Sequence, residues 1–452
     1  MYRNGRKAPG PKGLPFVGSA LDAKQDPLRF FSKLSKDYGD LVGLFLGPQY
    51  IIFVNRPDLI EKVLITEAKS SSREFNKPTR LARLLAGGEK MYRLTHFPAE
   101  GGFYERERTH MKESFHKRSL NSYADIMVAI DEGLVEEFRK SEKRYIHKDM
   151  MLLTLEAVSR TLFTINSKEH HQLLLQSFEV IVKDIGMRIG NPFRIPPIIP
   201  TPHSFRLRSA VRVITEVLEN CFEEHRVDGR EEKDFIDIIN EQKGDNKFLE
   251  DLDWQYTLAG VLAAGYETTA AGLAWTWYLL AKHPEVVSKI RAEVNEVVGN
   301  RPIRGNDFIN LKYTERVFRE AMRLYPPIPI IPRNVGKQYV LDDVVVPKGA
   351  VVVVSPWVTH RDERFFPDPE VFDPERWNDA KKASIIPLSY IPFSAGPRHC
   401  IGYGFASVEA TLAIAVLWRE FNFELISGEE PTPQMSIGLR PSNGLPMLVS
   451  KI

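Results

Sequence analysis

The stretch from Phe393 to Gly402 most constrains the fold of this chain, because it sets one of only two cysteines in 452 residues between two glycines. Apolar residues then recur at helical spacing, at Phe405, Val408, Leu412 and Ala415. Cys400 therefore lies where a glycine-containing loop gives way to a helix. The N-terminus of a helix favours an anion, which lowers the pKa of a thiol placed there. A thiolate held in this way can act as a nucleophile or as a soft metal ligand.

The same stretch resembles the haem-binding loop of the cytochrome P-450 superfamily, Phe-x-x-Gly-x-Arg-x-Cys-x-Gly, at every fixed position. The resemblance implies a mainly α fold with small β-sheets, with the haem between the long central helix and the N-terminus of the helix after the cysteine. It also implies that Cys400 is the axial ligand of the haem iron. Four more loop residues would bind the cofactor: Phe393, Gly396, Arg398 and Gly402. The alternative is a buried, inert thiol.

A second motif lies inside the longest helical pattern of the chain, residues 250–282. Residues 264–269 read Ala-Gly-Tyr-Glu-Thr-Thr, and an acid followed by a hydroxyl contradicts simple core patterning. A buried Thr that donates to a carbonyl one turn earlier is the structural alternative. The stretch resembles the family's oxygen-activation motif, including the glycine that lets the helix distort. The resemblance implies that Thr268 and Glu267 are catalytic, through hydrogen bonding and proton delivery, and that Ala264 faces the haem.

Three arginines resemble family positions that bind the haem propionates. Arg108 follows Tyr104, where many relatives have Trp, and a phenol can still donate one hydrogen bond. Arg333 follows Pro332, and Arg398 belongs to the cysteine loop. A solvated surface charge is the alternative for a single arginine.

Three other charged residues resemble a structural cluster of the family. Glu320 and Arg323 are three residues apart and share one helical face, and Arg376 follows later in the chain. In the family this buried cluster supports the core of the haem pocket. Because buried charges need all their partners, loss of any of the three is expected to be severely destabilising. These residues are predicted to be structural.

The resemblance implies an apolar substrate pocket formed by Leu84, Leu85, Met91, Ala264, Ile328, Ile330 and Ile437. The irregular residues 75–103 cover the substrate in the family. We therefore expect a lipophilic small molecule, such as a fatty acid or a terpenoid. The Pro-rich connection 191–202 would expose Phe and Ile as a plain loop. It is interpreted either as the lip of an access channel with peripheral membrane contact or as local packing between helices.

The family matches run over essentially the whole chain, so the resemblance implies one haem domain over residues 1–452, with a Pro/Gly-rich N-terminal segment over 1–18. Strand-like runs at 41–46 and 50–54 predict the edge of a small sheet. Hairpins are predicted from 344–346 to 350–354 and from 434–439 to 445–449. Helices are predicted over 27–38, 121–140, 148–166, 171–188, 203–226, 233–242 and 250–282.

Composition limits the partners and the compartment. A net charge of +2 gives no whole-chain argument for nucleic acid. Two distant cysteines do not form a disulfide framework, which suits a reducing compartment. No segment has the pattern of a membrane span, since Glu267 and two threonines interrupt the most apolar run. We expect a soluble, cytoplasmic monomer, although a relative whose membrane anchor had been removed would look the same.

The resemblance implies a haem-thiolate monooxygenase that uses haem b and inserts one oxygen atom of O2 into a C–H bond. Its electrons come from NAD(P)H through a separate reductase, because the chain has no dinucleotide fingerprint and no flavin domain. Four basic residues could face an acidic ferredoxin, a flavodoxin-like protein or a flavin reductase: Arg106, Lys112, Lys117 and Arg118. An ordinary charged helix surface is the alternative.

Two other functions remain open. One is a haem-thiolate peroxygenase or lipid-rearranging enzyme, and such relatives usually lack the acid–Thr pair that Glu267 and Thr268 form here. The other is a non-enzymatic haem sensor or carrier. Product formation that depends on dioxygen separates an enzyme from a sensor.

Overall fold

The computed structural model describes residues 6–72, 108–109, 111–190, 199–227, 235–236, 254–435 and 438–452. Its helices are α1 (Ala20–Gln25), α2 (Pro27–Tyr38), α3 (Pro57–Glu61), α4 (Lys117–Phe138), α5 (Ile146–Leu162), α6 (Lys168–Gly190), α7 (Pro202–Val227), α8 (Trp254–Lys282), α9 (Pro284–Val298), α10 (Lys312–Leu324), α11 (Pro356–Thr359), α12 (Asp379–Lys382) and α13 (Tyr403–Glu420). Its strands are β1 (Leu41–Leu46), β2 (Gln49–Val54), β3 (Ser71–Ser72), β4 (Lys143–Tyr145), β5 (Ile331–Val335), β6 (Tyr339–Leu341), β7 (Val344–Val346), β8 (Val351–Val354), β9 (Phe421–Leu425), β10 (Pro433–Met435), β11 (Leu439–Pro441) and β12 (Pro446–Lys451). The prediction of a mainly α protein with small sheets is confirmed.

The chain divides into two compact units. The first comprises residues 1–77 and 319–400, and the second comprises 78–318 and 401–452. The cysteine loop therefore ends the first unit, whereas α8 and α13 belong to the second. The expectation of one haem domain over the whole chain stays a prediction.

A five-stranded sheet in the order β1-β2-β8-β5-β3 organises the first unit. The four valines of β8 are all buried, and β8 pairs in parallel with β2 and antiparallel with β5. A continuous buried apolar run is typical of a central strand. β1 pairs with β2 antiparallel at the sheet edge, which confirms the predicted edge.

Both predicted hairpins are wrong, because a turn in each joins strands of different sheets. β7 pairs with β6 across the turn at Asp342-Asp343, whereas Pro347-Lys348-Gly349 carries the chain to β8 in the five-stranded sheet. Ser442-Asn443-Gly444 likewise leads from β11, which pairs with β10, to β12, which pairs with β4 and β9. A turn signal shows where the chain reverses, but the partner of a strand depends on which buried edge accepts it.

Helix α8 is the central element of the second unit and is buried on almost every side between Leu258 and Leu280. A helix that is apolar all round is typical of a protein core. It packs against α5 so closely that a Cβ on Gly265 would lie 2.7 Å from Val158 Cγ2. The helix is continuous through Gly265, so this glycine permits close packing rather than a helix break.

The other predicted helices agree with the structure to within a few residues, except 233–242, of which only residues 235–236 are described. Within the described ranges, no helix combines the length and the apolar character that crossing a membrane requires.

Two carboxyl groups that no sequence pattern indicated are buried where α4 packs on α13. Asp131 and Glu409 are each 1% exposed. Burial raises the pKa of both well above the usual range, and the nearby Asp131 adds to the effect on Glu409. Neither oxygen of the Glu409 carboxyl has a hydrogen-bond partner among the described residues. Glu409 is therefore neutral in the folded protein.

We expect Glu409→Gln to stabilise the protein increasingly as the pH rises. The folded pKa of Glu409 lies above the unfolded value of about 4.3, so between these values the unfolded chain binds fewer protons and stability falls with rising pH. The wild type should lose up to about 1.4 kcal/mol per pH unit relative to the variant. Thermal unfolding midpoints between about pH 5 and pH 8 measure this difference.

The matched control is Glu424→Gln, which makes the same chemical change at an exposed position on β9. It should leave the pH slope of the unfolding midpoint unchanged. Equal slopes for the wild type and Glu409→Gln would contradict the neutral-carboxyl interpretation.

Candidate active site

The cysteine loop of the first unit turns back on itself just before α13. Its backbone passes through left-handed conformations at Ser394 (φ 61°) and Gly396 (φ 68°) and makes one 3-10 turn over Gly396–Arg398. The backbone N–H of Cys400 then donates to the Phe393 carbonyl at 2.9 Å. This bond closes the loop and leaves the Cys400 side chain exposed.

Gly396 is the position in this loop where only glycine fits. A Cβ there would lie 2.2 Å from the carbonyl oxygen of Leu64, which belongs to the π-helical segment Lys62–Thr66. The positive φ would also strain any other residue. Gly402, with φ −84°, has an ordinary backbone conformation and caps α13. The two glycines of the motif therefore have different roles.

Arg333, on β5, contacts the cysteine loop within the first unit. Its side chain is 4% exposed, Nη2 donates to Ser394 Oγ at 3.1 Å, and Nη1 donates to the Pro332 carbonyl at 2.9 Å. A buried guanidinium suits a planar carboxylate such as a propionate. Arg398 is half-buried in the loop, and Arg108 is half-buried in the second unit.

The structure brings the three predicted charged residues of the structural cluster together. Arg323 donates through Nε and Nη2 to the two carboxylate oxygens of Glu320, each at 2.9 Å, and both side chains are fully buried. Arg376 Nε reaches Glu320 at 3.3 Å. The Trp377 indole, which no sequence pattern indicated, also donates to Glu320 at 2.8 Å. A bidentate, fully buried pair with further donors fixes the chain segments around it.

His360 connects this cluster to the start of the cysteine loop. Its Nε2 accepts from the Ile391 N–H at 2.9 Å, and Nδ1 lies 3.2 Å from the Arg323 carbonyl. Burial and the charge of Arg323 lower the pKa of His360 well below its usual value. The ring therefore stays neutral and acts as a structural acceptor.

Helix α8 of the second unit has one accessible apolar face. Ala264 is exposed and Thr268, one turn later, is half-buried, whereas Tyr266, Glu267 and Thr269 are buried. The Thr268 hydroxyl donates to the Ala264 carbonyl at 2.7 Å, as expected for a mid-helix threonine. A narrow apolar face with one hydroxyl suits a flat hydrophobic group such as a haem. In the first unit, the exposed Cys400 thiol is by itself a suitable donor for iron. Each unit, taken separately, therefore carries residues that fit a haem.

Glu267 has a partner that no sequence pattern indicated. It is 3% exposed, and Arg440 Nε on β11 donates to its Oε1 at 2.5 Å. Arg440 stands between the buried Leu439 and Pro441, an alternation that is typical of any strand with one buried face. Sequence spacing could not reveal a contact between residues so far apart in the chain.

The remaining predicted positions divide into three groups. Ile328 and Ile330 are half-buried and pack against different hydrophobic cores of the first unit. Lys112, Lys117 and Arg118 are exposed near the start of α4. Several other predicted residues lie outside the described ranges: Leu84, Leu85, Met91, Tyr104, Arg106 and Ile437, with all of 75–103 and with 191–198.

Comparisons with known proteins give consistent matches. A family model described as "Cytochrome P450" matches residues 8–447. The chain is 29% identical to cyclooctatin synthase of Streptomyces melanosporofaciens, covering 98% of this chain and 96% of that protein. It is 29% identical to pentalenene oxygenase of Streptomyces avermitilis, covering 90% of each. The solved structure "Retinoic acid bound cyanobacterial CYP120A1" matches with a TM-score of 0.82 over 99% of this chain and 100% of that chain. At 23% identity, this match shows the fold alone.

We expect Gly396→Ala to destabilise the protein strongly, because the new Cβ would overlap the Leu64 carbonyl oxygen. The loss should exceed the roughly 1–3 kcal/mol that backbone strain alone costs. The control is Gly349→Ala, which also has a positive φ (85°) but has no atom within 4 Å of the added Cβ. Thermal unfolding of both variants measures the difference, and equal midpoints would contradict the close contact with Leu64.

Proposed function

Because the chain belongs to the cytochrome P-450 family, we propose that it hydroxylates a terpenoid, using haem b with Cys400 as the axial thiolate ligand. Membership makes the chain an oxidoreductase, a monooxygenase with a haem cofactor, whose electrons derive indirectly from NAD(P)H. The observation that carries the proposal is the occurrence in one chain of an exposed thiol on a closed loop and an acid–hydroxyl pair in a buried helix.

The choice of a terpenoid rests on relatives and on the character of α8. One relative that spans nine-tenths of the chain is named for the oxygenation of pentalenene, a hydrocarbon terpenoid. The accessible face of α8 around Ala264 is apolar apart from the Thr268 hydroxyl. An apolar site binds a hydrocarbon by burying its surface and gives little discrimination against other lipophilic molecules. A fatty acid is therefore the second candidate substrate.

In this proposal the loop residues hold and orient the cofactor. A bound haem supplies the activation of dioxygen, which a thiolate ligand favours by donating electron density. Cys400 would hold the iron, and Gly396 keeps the loop backbone packed against Leu64. Arg333, Arg108 and Arg398 are the candidate partners of the propionates, of which Arg333 is the most buried.

The α8 residues would manage protons. Hydroxylation consumes one substrate molecule, one O2, two electrons and two protons, and it yields one alcohol and one water. The two protons must reach a site from which bulk water is otherwise excluded. The Thr268 hydroxyl would give up its hydrogen bond to the Ala264 carbonyl and orient the hydrogen bonds at that site instead. Glu267 would pass the proton to the site.

The electron donor is a separate protein. Lys112, Lys117 and Arg118 are exposed and close together in sequence, which gives the start of α4 a positive charge. Charge of this kind steers an acidic partner toward the surface. We assign the role to an acidic ferredoxin, a flavodoxin-like protein or a flavin reductase.

The spectrum of the reduced protein with carbon monoxide tests the ligand. We expect the Soret band in the long-wavelength position of thiolate-ligated haem, and we expect Cys400→Ser to lose it. Cys221→Ser is the control, because Cys221 is buried and its Sγ lies 3.0 Å from the Phe163 carbonyl. A short-wavelength band in the wild type, or no change in Cys400→Ser, would contradict the assignment of Cys400 as the axial ligand.

Turnover tests the reaction and the substrate class. With pentalenene, NADPH, a surrogate ferredoxin and its reductase, we expect one atom of isotopically labelled O2 in the product. The comparison substrate is tetradecanoic acid, and binding of each is followed by the spin-state shift of the haem. Product from the fatty acid alone would contradict the terpenoid assignment. Product from hydrogen peroxide alone, with none from the reductase system, would favour the peroxygenase.

A further inference from the structure

Glu267 and Thr268 are neighbours in sequence but point in different directions. Successive side chains on an α-helix are about 100° apart, so residues i and i+1 do not face each other. Thr268 lies one turn after the exposed Ala264, on the accessible face of α8, and donates to its carbonyl. Glu267 is buried and contacts Arg440 instead. For Glu267 to act beside Thr268, its side chain must rotate away from Arg440.

The backbone next to Arg440 is anchored to α8. Its strand, β11, is fixed to α8 by a hydrogen bond from Trp275 Nε1 to the Leu439 carbonyl at 2.8 Å. Trp275 is fully buried, as is Leu439. The backbone that carries Arg440 is therefore anchored two turns along α8 from Glu267.

The ion pair uses only half of its hydrogen-bonding capacity. Arg440 donates through Nε to Oε1 of Glu267, whereas Arg440 Nη2 and Glu267 Oε2 are buried and have no partner among the described residues. A guanidinium and a carboxylate can form two parallel bonds, and this pair forms one. The carboxyl group can therefore leave Arg440 by breaking a single hydrogen bond.

Two titratable groups near the ion pair, Tyr266 and His147, carry no charge that could replace Arg440 as the partner of Glu267. Burial, with a contribution from Glu267, raises the pKa of Tyr266 well above its usual value. Burial, with a contribution from Arg440, lowers the pKa of His147 to about 3. Both groups are neutral near neutral pH. The Arg440 side chain is 22% exposed and that of Glu267 is 4% exposed. Solvent water therefore reaches the ion pair on the side of Arg440.

We propose that Arg440 is a positioning residue for proton delivery, holding Glu267 at β11 until the carboxyl takes up a proton. The inference rests on the proposed function. Glu267 accepts a proton from water that reaches Arg440, and the neutral acid gives up its one hydrogen bond to the guanidinium. The acid rotates toward Thr268, releases the proton there and returns to Arg440 as a carboxylate. One proton moves from water to the site, and no other bond changes.

The first test measures NADPH oxidation with a surrogate ferredoxin and its reductase, which requires no knowledge of the natural substrate. Arg440→Gln should slow NADPH oxidation about tenfold and raise the solvent isotope effect, because a misplaced acid makes proton transfer limiting. Arg440→Lys keeps the charge and should recover to within about threefold of the wild type. Arg144→Gln, which removes a similar partly buried ion pair with Asp149, should leave both quantities unchanged.

A double-mutant cycle shows whether Arg440 acts through Glu267. The variant that combines Glu267→Gln with Arg440→Gln should be no slower than Glu267→Gln alone, because the two residues form one unit. Multiplied effects in the double variant would overturn the proposal. So would equal slowing by Arg144→Gln and Arg440→Gln, which would indicate a general loss of structure.

A crystal structure gives a readout that does not depend on activity. In Arg440→Gln we expect the Glu267 side chain to leave β11, and in Arg440→Lys we expect it to stay. An unchanged Glu267 rotamer in Arg440→Gln would overturn the proposal. Failure of the proposed function shows instead in the carbon monoxide spectrum of the wild type, so the two failures are distinguishable.

Discussion

The cysteine loop depends on the hydrogen bonds and ion pairs that the buried carboxylate of Glu320 accepts. It accepts hydrogen bonds from Arg323, Arg376 and Trp377, and Arg323 in turn donates to the carbonyls of His360, Pro369 and Val371. Removing one partner from such a cluster leaves an uncompensated buried charge, which typically costs about 3–5 kcal/mol. The neutral ring of His360 extends the network to Ile391, where the approach to Cys400 begins. The position of the thiol is thus fixed by a charge network many residues earlier in the chain.

Helix α8 combines two requirements that conflict in an ordinary core helix. Its burial from Leu258 to Leu280 stabilises the second unit, yet it carries a carboxylate in that buried length. The structure resolves the conflict by placing Arg440 of β11 against Glu267 and by leaving Ala264 and Thr268 accessible on another face. The polar residues of the motif thereby lie on separate faces. The single hydrogen bond between Arg440 and Glu267 is the contact that the proposed rotation of the acid would break.

The sequence predicted the elements of the fold better than their partners. Apolar periodicity located α2, α4 to α8 and the edge strands β1 and β2, because a helix and an antiparallel hairpin are defined by local spacing. The two later hairpins failed, because β8 and β12 pair with strands distant in sequence. The residues of the Glu320 cluster were found through a family motif, whereas Trp377 and Arg440 lacked such a signal. Asp131 and Glu409 were missed because a carboxyl in a helical pattern is normally assigned to the surface.

What the sequence by itself determined is the chemistry: a thiol in a loop that matches a haem-binding motif, and an acid followed by a hydroxyl in an apolar helix. Both are short, contiguous patterns, so they can be recognised from neighbouring residues alone. Only the tertiary structure decided that Gly396 must be a glycine, because the Leu64 carbonyl lies against it. It also decided that Glu267 faces Arg440. The physical reason is the same in both cases. A close contact between segments that are distant in sequence depends on how they pack, and such packing produces no periodic pattern in the sequence.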